Sequence, residues 1–152
     1  MNDKTYFFLH IPKTAGSTLK SSLNYIYSSK EIFHVSNNVD KQSIKKGFNH
    51  LSHADHSKLK IVAGHGYYGM HSGLKDNSEA SYFTFIREPS KRIISLYNQI
   101  LNSDYDSNPI KQYVVDEKAT LDDLILSKRF RGFHNDQCRL IAGLPFDLNI
   151  SD

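Results

Sequence analysis

Tryptophan is missing from this sequence, and cysteine occurs once in 152 residues. The single Cys138 leaves no partner for an internal disulfide and fits a reducing compartment. A lone thiol of this kind is expected as a small, buried, apolar residue. Long apolar runs are also lacking. The N-terminus leads only into Tyr6 to Leu9, too short for a signal-peptide core or a membrane span, so a cytoplasmic protein without a membrane partner is expected. No repeat or low-complexity stretch interrupts the chain. Nor does one sign of charge dominate. A net charge of +3 is a mild bias toward anions that does not argue for nucleic acid, and a nucleotide with several phosphates would satisfy it equally well. What is present is an ordinary globular mixture, 39% hydrophobic and 23% charged. Nine Tyr and nine Phe supply the core volume that Trp would otherwise help to fill. One domain over 1–152 is expected.

Thr5-Tyr-Phe-Phe-Leu-His-Ile11 is a β-branched and aromatic run closed by Pro12, which reads as a buried strand. Pro12 to Ser17 is a turn. Leu19, Leu23, Ile26 and Tyr27 then share one helix face. Residues 36–58 are polar and read as a loop with a surface helix. Lys60-Ile-Val-Ala63 is a second strand, stopped at Gly64-His65-Gly66, and Ser81-Tyr-Phe-Thr-Phe-Ile86 is a third, ending at Arg87-Glu88-Pro89. Pro89 suits the first turn of a helix whose apolar face is Ile93, Ile94, Tyr97, Ile100 and Leu101. Residues 102–118 read as a polar connection. Thr120-Leu-Asp-Asp123 has the form of a capping box, and a last helix runs from about Asn135 to Ala142, closed by Gly143 and Pro145. Three apolar strands separated by helical segments predict an α/β fold, a parallel sheet flanked by helices on its faces. Ligands bind at the carboxyl ends of such strands, and His10-Ile-Pro-Lys-Thr-Ala-Gly-Ser17, Gly-His-Gly and Arg-Glu-Pro all sit at those ends.

Pro12-Lys-Thr-Ala-Gly-Ser-Thr18 is a small-residue turn entering a helix, which exposes backbone N–H groups at the positive end of the helix dipole. Gly16 lets the backbone approach a phosphate, Ser17 and Thr18 add hydroxyls, and Lys13 brings a full charge. A plain turn with Ser17 as helix cap is the alternative, but capping needs neither the lysine nor the run of small residues. The Walker A order puts lysine directly before the hydroxyl residue. Here lysine precedes the glycine by three and no glycine opens the loop. The third strand ends in Arg87, where a Mg²⁺ site would want an Asp. A fixed cation there argues for binding phosphate without a metal, through a guanidinium fork. Ser95 lies away from the apolar face, its hydroxyl free for solvent or ligand. Taken singly, each of these residues reads as structural, an Arg–Glu surface pair and a solvated serine, and gains its meaning from context.

With these residues in view, His10-Ile-Pro-Lys-Thr-Ala-Gly-Ser-Thr-Leu19 resembles the 5′-phosphosulfate loop of carbohydrate sulfotransferases that use 3′-phosphoadenosine 5′-phosphosulfate (PAPS). In pattern it is nearest the heparan sulfate 2-O- and 6-O-sulfotransferases and their bacterial kin. Thr84-Phe-Ile-Arg-Glu-Pro-Ser-Lys-Arg-Ile-Ile-Ser-Leu-Tyr97 is similar to the family's 3′-phosphate motif, and Asn135-Asp-Gln-Cys-Arg-Leu-Ile-Ala-Gly143 to the Gln-x-Arg-x-x-Ala helix of the 6-O-type enzymes. The three matches occur in family order across nearly the whole chain. The resemblance implies a three-layer, P-loop-like sulfotransferase fold, with PAPS as donor, PAP (3′-phosphoadenosine 5′-phosphate) as product and no metal. It further implies that Lys13 contacts the oxygen linking sulfate to phosphate, that Thr14, Ala15, Gly16, Ser17 and Thr18 form the 5′-phosphate loop, and that Arg87 and Ser95 hold the 3′-phosphate. In the 2-O-type enzymes a Gly-His at the place of Gly64-His65 supplies the base, which makes His65 the candidate to deprotonate an acceptor hydroxyl. A histidine bonded to a loop carbonyl is the structural alternative. His71 is the second choice for the base, and Tyr67 and Tyr68 either line an acceptor site or belong to the core.

His50, His53 and His56 with Asp55 invite a metal reading, but they step by three where zinc pairs on a helix step by four. A solvated helix face is expected. The lysines at 41–46 and 58–60, and Lys128-Arg-Phe-Arg131, are solvated faces or receive an acidic glycan. Family members continue well past the Gln-x-Arg helix, so a compact or truncated member is expected here, lacking C-terminal elements and completed by dimerisation or further sequence. Three functions follow from these residues. The first is sulfuryl transfer to a hydroxyl, on a carbohydrate. The second is PAPS or PAP binding without catalysis. The third is a small-molecule kinase, which the loop order speaks against.

Overall fold

A computed structural model gives the structure of the protein over residues 4–35, 41–51, 57–74, 79–127 and 129–144. The run Thr5-Tyr-Phe-Phe-Leu forms β1 (Thr5–Leu9), and its alternation sets the architecture. Phe7 and Leu9 point to one side and Phe8 to the other, all three essentially buried. Fully burying one such side chain contributes about 1.5–3 kcal/mol, so β1 anchors two cores. On the Phe8 side, Ile61 and Ala63 meet Leu19, Leu23 and Tyr27 of α1 (Gly16–Ile26) and its C-cap. On the Phe7 side, Val62 meets Ile44 and Phe48 of α2 (Lys41–Asn49), Met70 of a 3₁₀ turn (Met70–Gly73) and Leu140 of the last helix. The sheet is thus covered on both faces, the three-layer arrangement expected of buried parallel strands.

The sheet has four strands, one more than the sequence predicts. β2 (Ile32–Val35) is the addition, paired with β3 (Ile61–Gly64) from Ile32↔Ile61 to Val35↔Gly64. β1 pairs with β3 on one side and with β4 (Ala80–Thr84) on the other, and all the pairings are parallel, in the order β2-β3-β1-β4. The connection leaving β1 leads toward the β2 edge. The one leaving β3 leads the other way, past β1 to β4. That reversal makes the carboxyl end of β1 the switch point at which open parallel sheets place ligands.

The chain divides into two compact units, Met1–Phe85 with Gln137–Asp152, and Ile86–Asp136. The second unit is helical. Its α3 (Pro89–Leu101) starts with Pro89 in the first turn, and the Glu88 carboxylate accepts from the Ser90 and Lys91 N–H groups at 3.0 and 2.8 Å. α4 (Pro109–Asp116) lies in the stretch expected as a polar connection. Asn108 caps it by accepting from Ile110 and Lys111, and Pro109 opens it. α5 (Leu121–Leu126) carries the expected capping box between Thr120 and Asp123. Ile100, Val114, Leu124 and Phe133 form this unit's core. α3 differs from its predicted face. Ile94 and Leu101 are exposed, and the buried stripe runs through Arg92, Leu96 and Ile100 with Ile93 and Tyr97 beside it. The last helix, α6 (Asp136–Ile141), is ended by Gly143 at φ 78°. Cys138 is exposed on α6 rather than buried, because the six-residue helix turns Leu140 and Arg139 inward. Pro145 and Lys128 lie outside the described residues, as do His53, Asp55 and His56.

Candidate anion-binding site

The turn from β1 into α1 is built by two residues in the left-handed region, Lys13 at φ 70° and Ala15 at φ 68°. Non-glycine residues rarely adopt this conformation and it costs about 1–2 kcal/mol each, a strain that clusters at ligand-binding loops. Ala15 is the N-cap of α1, and no side chain caps that helix. The N-cap residue therefore offers no acceptor to the first N–H groups of α1, which carry the positive end of its dipole. Ser17 and Thr18 are exposed on the first turn, and Lys13 is half-buried. Thr14 is buried, and its hydroxyl donates to the Ile11 carbonyl at 2.8 Å, so the hydroxyl is engaged within the turn. The Thr84 hydroxyl donates to the Leu9 carbonyl at 2.6 Å, tying the end of β4 to the end of β1 just below the loop.

Gly16 has a role that the sequence does not reveal. A Cβ at this position would run into the imidazole of His10. His10 is 9% exposed and stacks on His65 with ring centroids 4.3 Å apart and planes 27° apart. The glycine thus makes room for a histidine, and that histidine joins the loop to the candidate base. His65 is held between two glycines. Gly64 has φ 147°, and a Cβ there would meet the Val35 carbonyl of β2. Burial, together with His10 beside it and the Lys20 ammonium, pulls the His65 pKa down from its ordinary value to about 4, against a backbone hydrogen bond with His10 that raises it. Burial and Lys20 lower His10 in the same direction, and both also lower His34 at the end of β2. Burial is the main cause at all three imidazoles, and Lys20, one turn into α1, adds to it. Neither Lys20 nor His10 stands out in the sequence, because their partners lie far away in the chain.

The other residues singled out by the sequence divide clearly. His71 is committed to Tyr82, whose hydroxyl lies 2.9 Å from both its N–H and its Nδ1. Burial pushes that phenol up to about 12. Tyr67 is a core residue, whereas Tyr68 is exposed and stands 4.8 Å from the Tyr82 ring. His50 is exposed, and among the described residues no group of three His, Cys, Asp or Glu could hold a metal. Lys58 and Lys60 line a cleft of about 470 Å³ with Lys30 and Glu31, at the amino ends of β2 and β3. Arg129 lies over the Tyr113 ring at 5.0 Å.

In the second unit, Arg87 is exposed just ahead of α3, and Ser95 is half-buried on its second turn. Ser95 is not on the open face of α3, which carries Lys91, Ile94 and Asn98. It is on the flank, one turn beyond Arg92. Glu88, read from sequence as a surface partner of Arg87, is the cap of α3. Its carboxyl is held below the usual range by the N–H groups and the hydroxyl it accepts from. No helix among the described residues is long and apolar enough to cross a membrane.

The family model of the sulfotransferase family matches residues 2–139. No curated protein and no solved structure gives a match.

Proposed function

Starting from the fact that the chain belongs to the sulfotransferase family, we propose that it transfers a sulfuryl group from PAPS to a hydroxyl of a carbohydrate, of the kind sulfated by the heparan sulfate enzymes its motifs resemble. The observation that carries this reading is the β1–α1 turn. It combines a helix N-terminus whose cap residue, Ala15, offers no side-chain acceptor, two left-handed residues and Lys13 at the switch point of a parallel sheet. That combination suits a phosphate without calling for a metal.

PAPS, when bound, supplies the electrophilic sulfur and a leaving group that departs as PAP. The backbone of Thr14, Ala15 and Gly16, with the hydroxyls of Ser17 and Thr18, binds the 5′-phosphate. Lys13 neutralises charge on the oxygen that the departing sulfuryl group leaves behind. Placing a fixed cation where charge develops is usually the largest single term in such catalysis. Arg87 and Ser95 hold the 3′-phosphate. His65 takes the proton of the acceptor hydroxyl. It is neutral at pH 7 and so in the form a base requires, although a pKa near 4 makes it a weak one. A bound polyanion offsets Lys20 and lifts the imidazole toward the useful range.

One observation favours a second reading, binding of PAPS or PAP without turnover. His65 is half-buried, with its ring stacked on His10. The two readings separate in one set of experiments. Calorimetry with PAP, AMP and ADP tests the nucleotide site. PAP is expected to bind far more tightly than AMP, and Arg87→Ala to weaken PAP about ten- to a hundredfold, the loss of one charged hydrogen-bond partner. Equal affinity for PAP and AMP would overturn the assignment. Sulfate transfer to a heparan-type oligosaccharide then tests catalysis. Lys13→Ala is expected to abolish it and His65→Ala to slow it with PAP affinity unchanged. Tight PAP binding with no transfer establishes the second reading.

A further inference from the structure

Arg92 occupies a place in the buried stripe of α3 where an apolar residue is expected, and it is 3% exposed. Both terminal nitrogens donate to the Gly132 carbonyl, at 2.9 and 3.1 Å, and Nη2 also donates to the Asp136 carboxylate at 2.6 Å. That last distance is short even for a charge-assisted bond. Leu96 packs close to Gly132, its Cδ2 3.2 Å from where a Cβ would stand. Among the described residues Arg92 Nε has no hydrogen-bond partner. A buried ion pair gains little over apolar side chains of equal volume, and this one leaves a donor unsatisfied, so net stability does not explain its presence. What a guanidinium fork adds is direction. It fixes the rotation of α3 about its own axis, which a leucine sliding in an apolar groove does not.

Arg92 stands between Arg87 and Ser95, three residues before the serine and on the same flank. The Glu88 cap fixes the start of the same segment. We infer that the Arg92–Asp136 pair is the positioning device of the 3′-phosphate site, setting the rotation of α3 so that Arg87 and the Ser95 hydroxyl are presented together. The pair touches no ligand itself. This inference rests on the assignment of Arg87 and Ser95 to the 3′-phosphate.

The test is the ratio of PAP to AMP affinity in the full chain, measured by calorimetry at a temperature where circular dichroism shows each variant folded. Arg92→Met with Asp136→Leu removes both charges without stranding either one. The double variant is expected to bind AMP as wild type does and PAP about tenfold more weakly, as when one charge-assisted hydrogen bond is lost. An unchanged ratio overturns the inference and leaves the pair a structural role. An equal loss of both ligands overturns it as well. Asp136→Asn keeps an acceptor at the same place and is read in the same way should the double variant not fold, with a fall of roughly threefold expected and an unchanged ratio again decisive against. Wild type that fails to distinguish PAP from AMP overturns the assignment of the site, and this inference with it. A discriminating wild type with an indifferent double variant overturns the inference alone.

Discussion

The stacked histidines give the chain a stability that depends on pH well above the range in which carboxylates titrate. His65 has its pKa lowered to about 4 in the folded protein, against about 6.5 when unfolded. Between these values the unfolded chain holds a proton that the folded chain does not. Acid therefore favours unfolding, and stability rises with pH through that window. Going from pH 7 to pH 5, the His65 contribution falls by about 2 kcal/mol, and by about 3 kcal/mol when the pH drops below both values. His10 and His34 shift in the same direction and add to the slope. The depressed carboxylates of Glu31, Glu88 and Asp123 stabilise the fold above their unfolded pKa and lose this effect only at lower pH. The assay is urea denaturation at pH 7 and pH 5, for wild type and for His65→Gln, which keeps the size and polarity of the side chain but cannot titrate. The variant is expected to lose about 2 kcal/mol less than wild type over that interval. Equal losses in the two proteins would refute both the burial of His65 and its assignment as a desolvated imidazole.

Gly16→Ala drives a methyl group into the His10 ring and is expected to destabilise the chain by about 1–3 kcal/mol. Adding His10→Ala restores part of that loss, and a thermodynamic cycle in denaturant checks it. Asn108→Ala removes the cap of α4 and is expected to cost about 1 kcal/mol, whereas a true loop there would show no loss in the same denaturant assay. Ala15→Gly relieves a left-handed alanine and is expected to raise the melting temperature, since a methyl group at positive φ destabilises by more than the backbone freedom that glycine adds to the unfolded chain. An unchanged or lower melting temperature would show that the turn is not strained at this position.

What the sequence reveals is whatever is decided locally. Thr5–Leu9, the small-residue turn and the helix after it are one continuous signal, and Pro89 and the Thr120–Asp123 box mark their helices by chemistry within four residues. β2 escapes because four residues carry little periodicity, and Ile32–Val35 is a strand by virtue of its register with Ile61–Gly64. α4 was legible in principle, since Asn108-Pro109 is a cap followed by a first-turn proline. The polar residues around it obscured the pattern. In the candidate site, Lys13 and its loop announce themselves, but the reason for Gly16 does not. It depends on His10, and His10 is placed by a stack on a residue 55 positions further along the chain. The buried Arg92 is hidden in the same way, because its partners Gly132 and Asp136 lie 40 and 44 residues away.

The sheet order also sets a timetable for synthesis. β1 is central to the sheet and earliest in the chain, yet both of its neighbours are made later, β3 beginning at Ile61 and β4 at Ala80. β2 waits for β3 as well. No strand of the sheet can pair until β3 has emerged, and at roughly 5–20 residues per second that interval lasts several seconds. During it Phe7 and Leu9 wait for β3 and the elements after it to complete their core, and Phe8 has partners already made, in Leu19 and Leu23 of α1. The nascent chain is therefore most exposed to aggregation before the β1–α1 turn has a sheet to stand on.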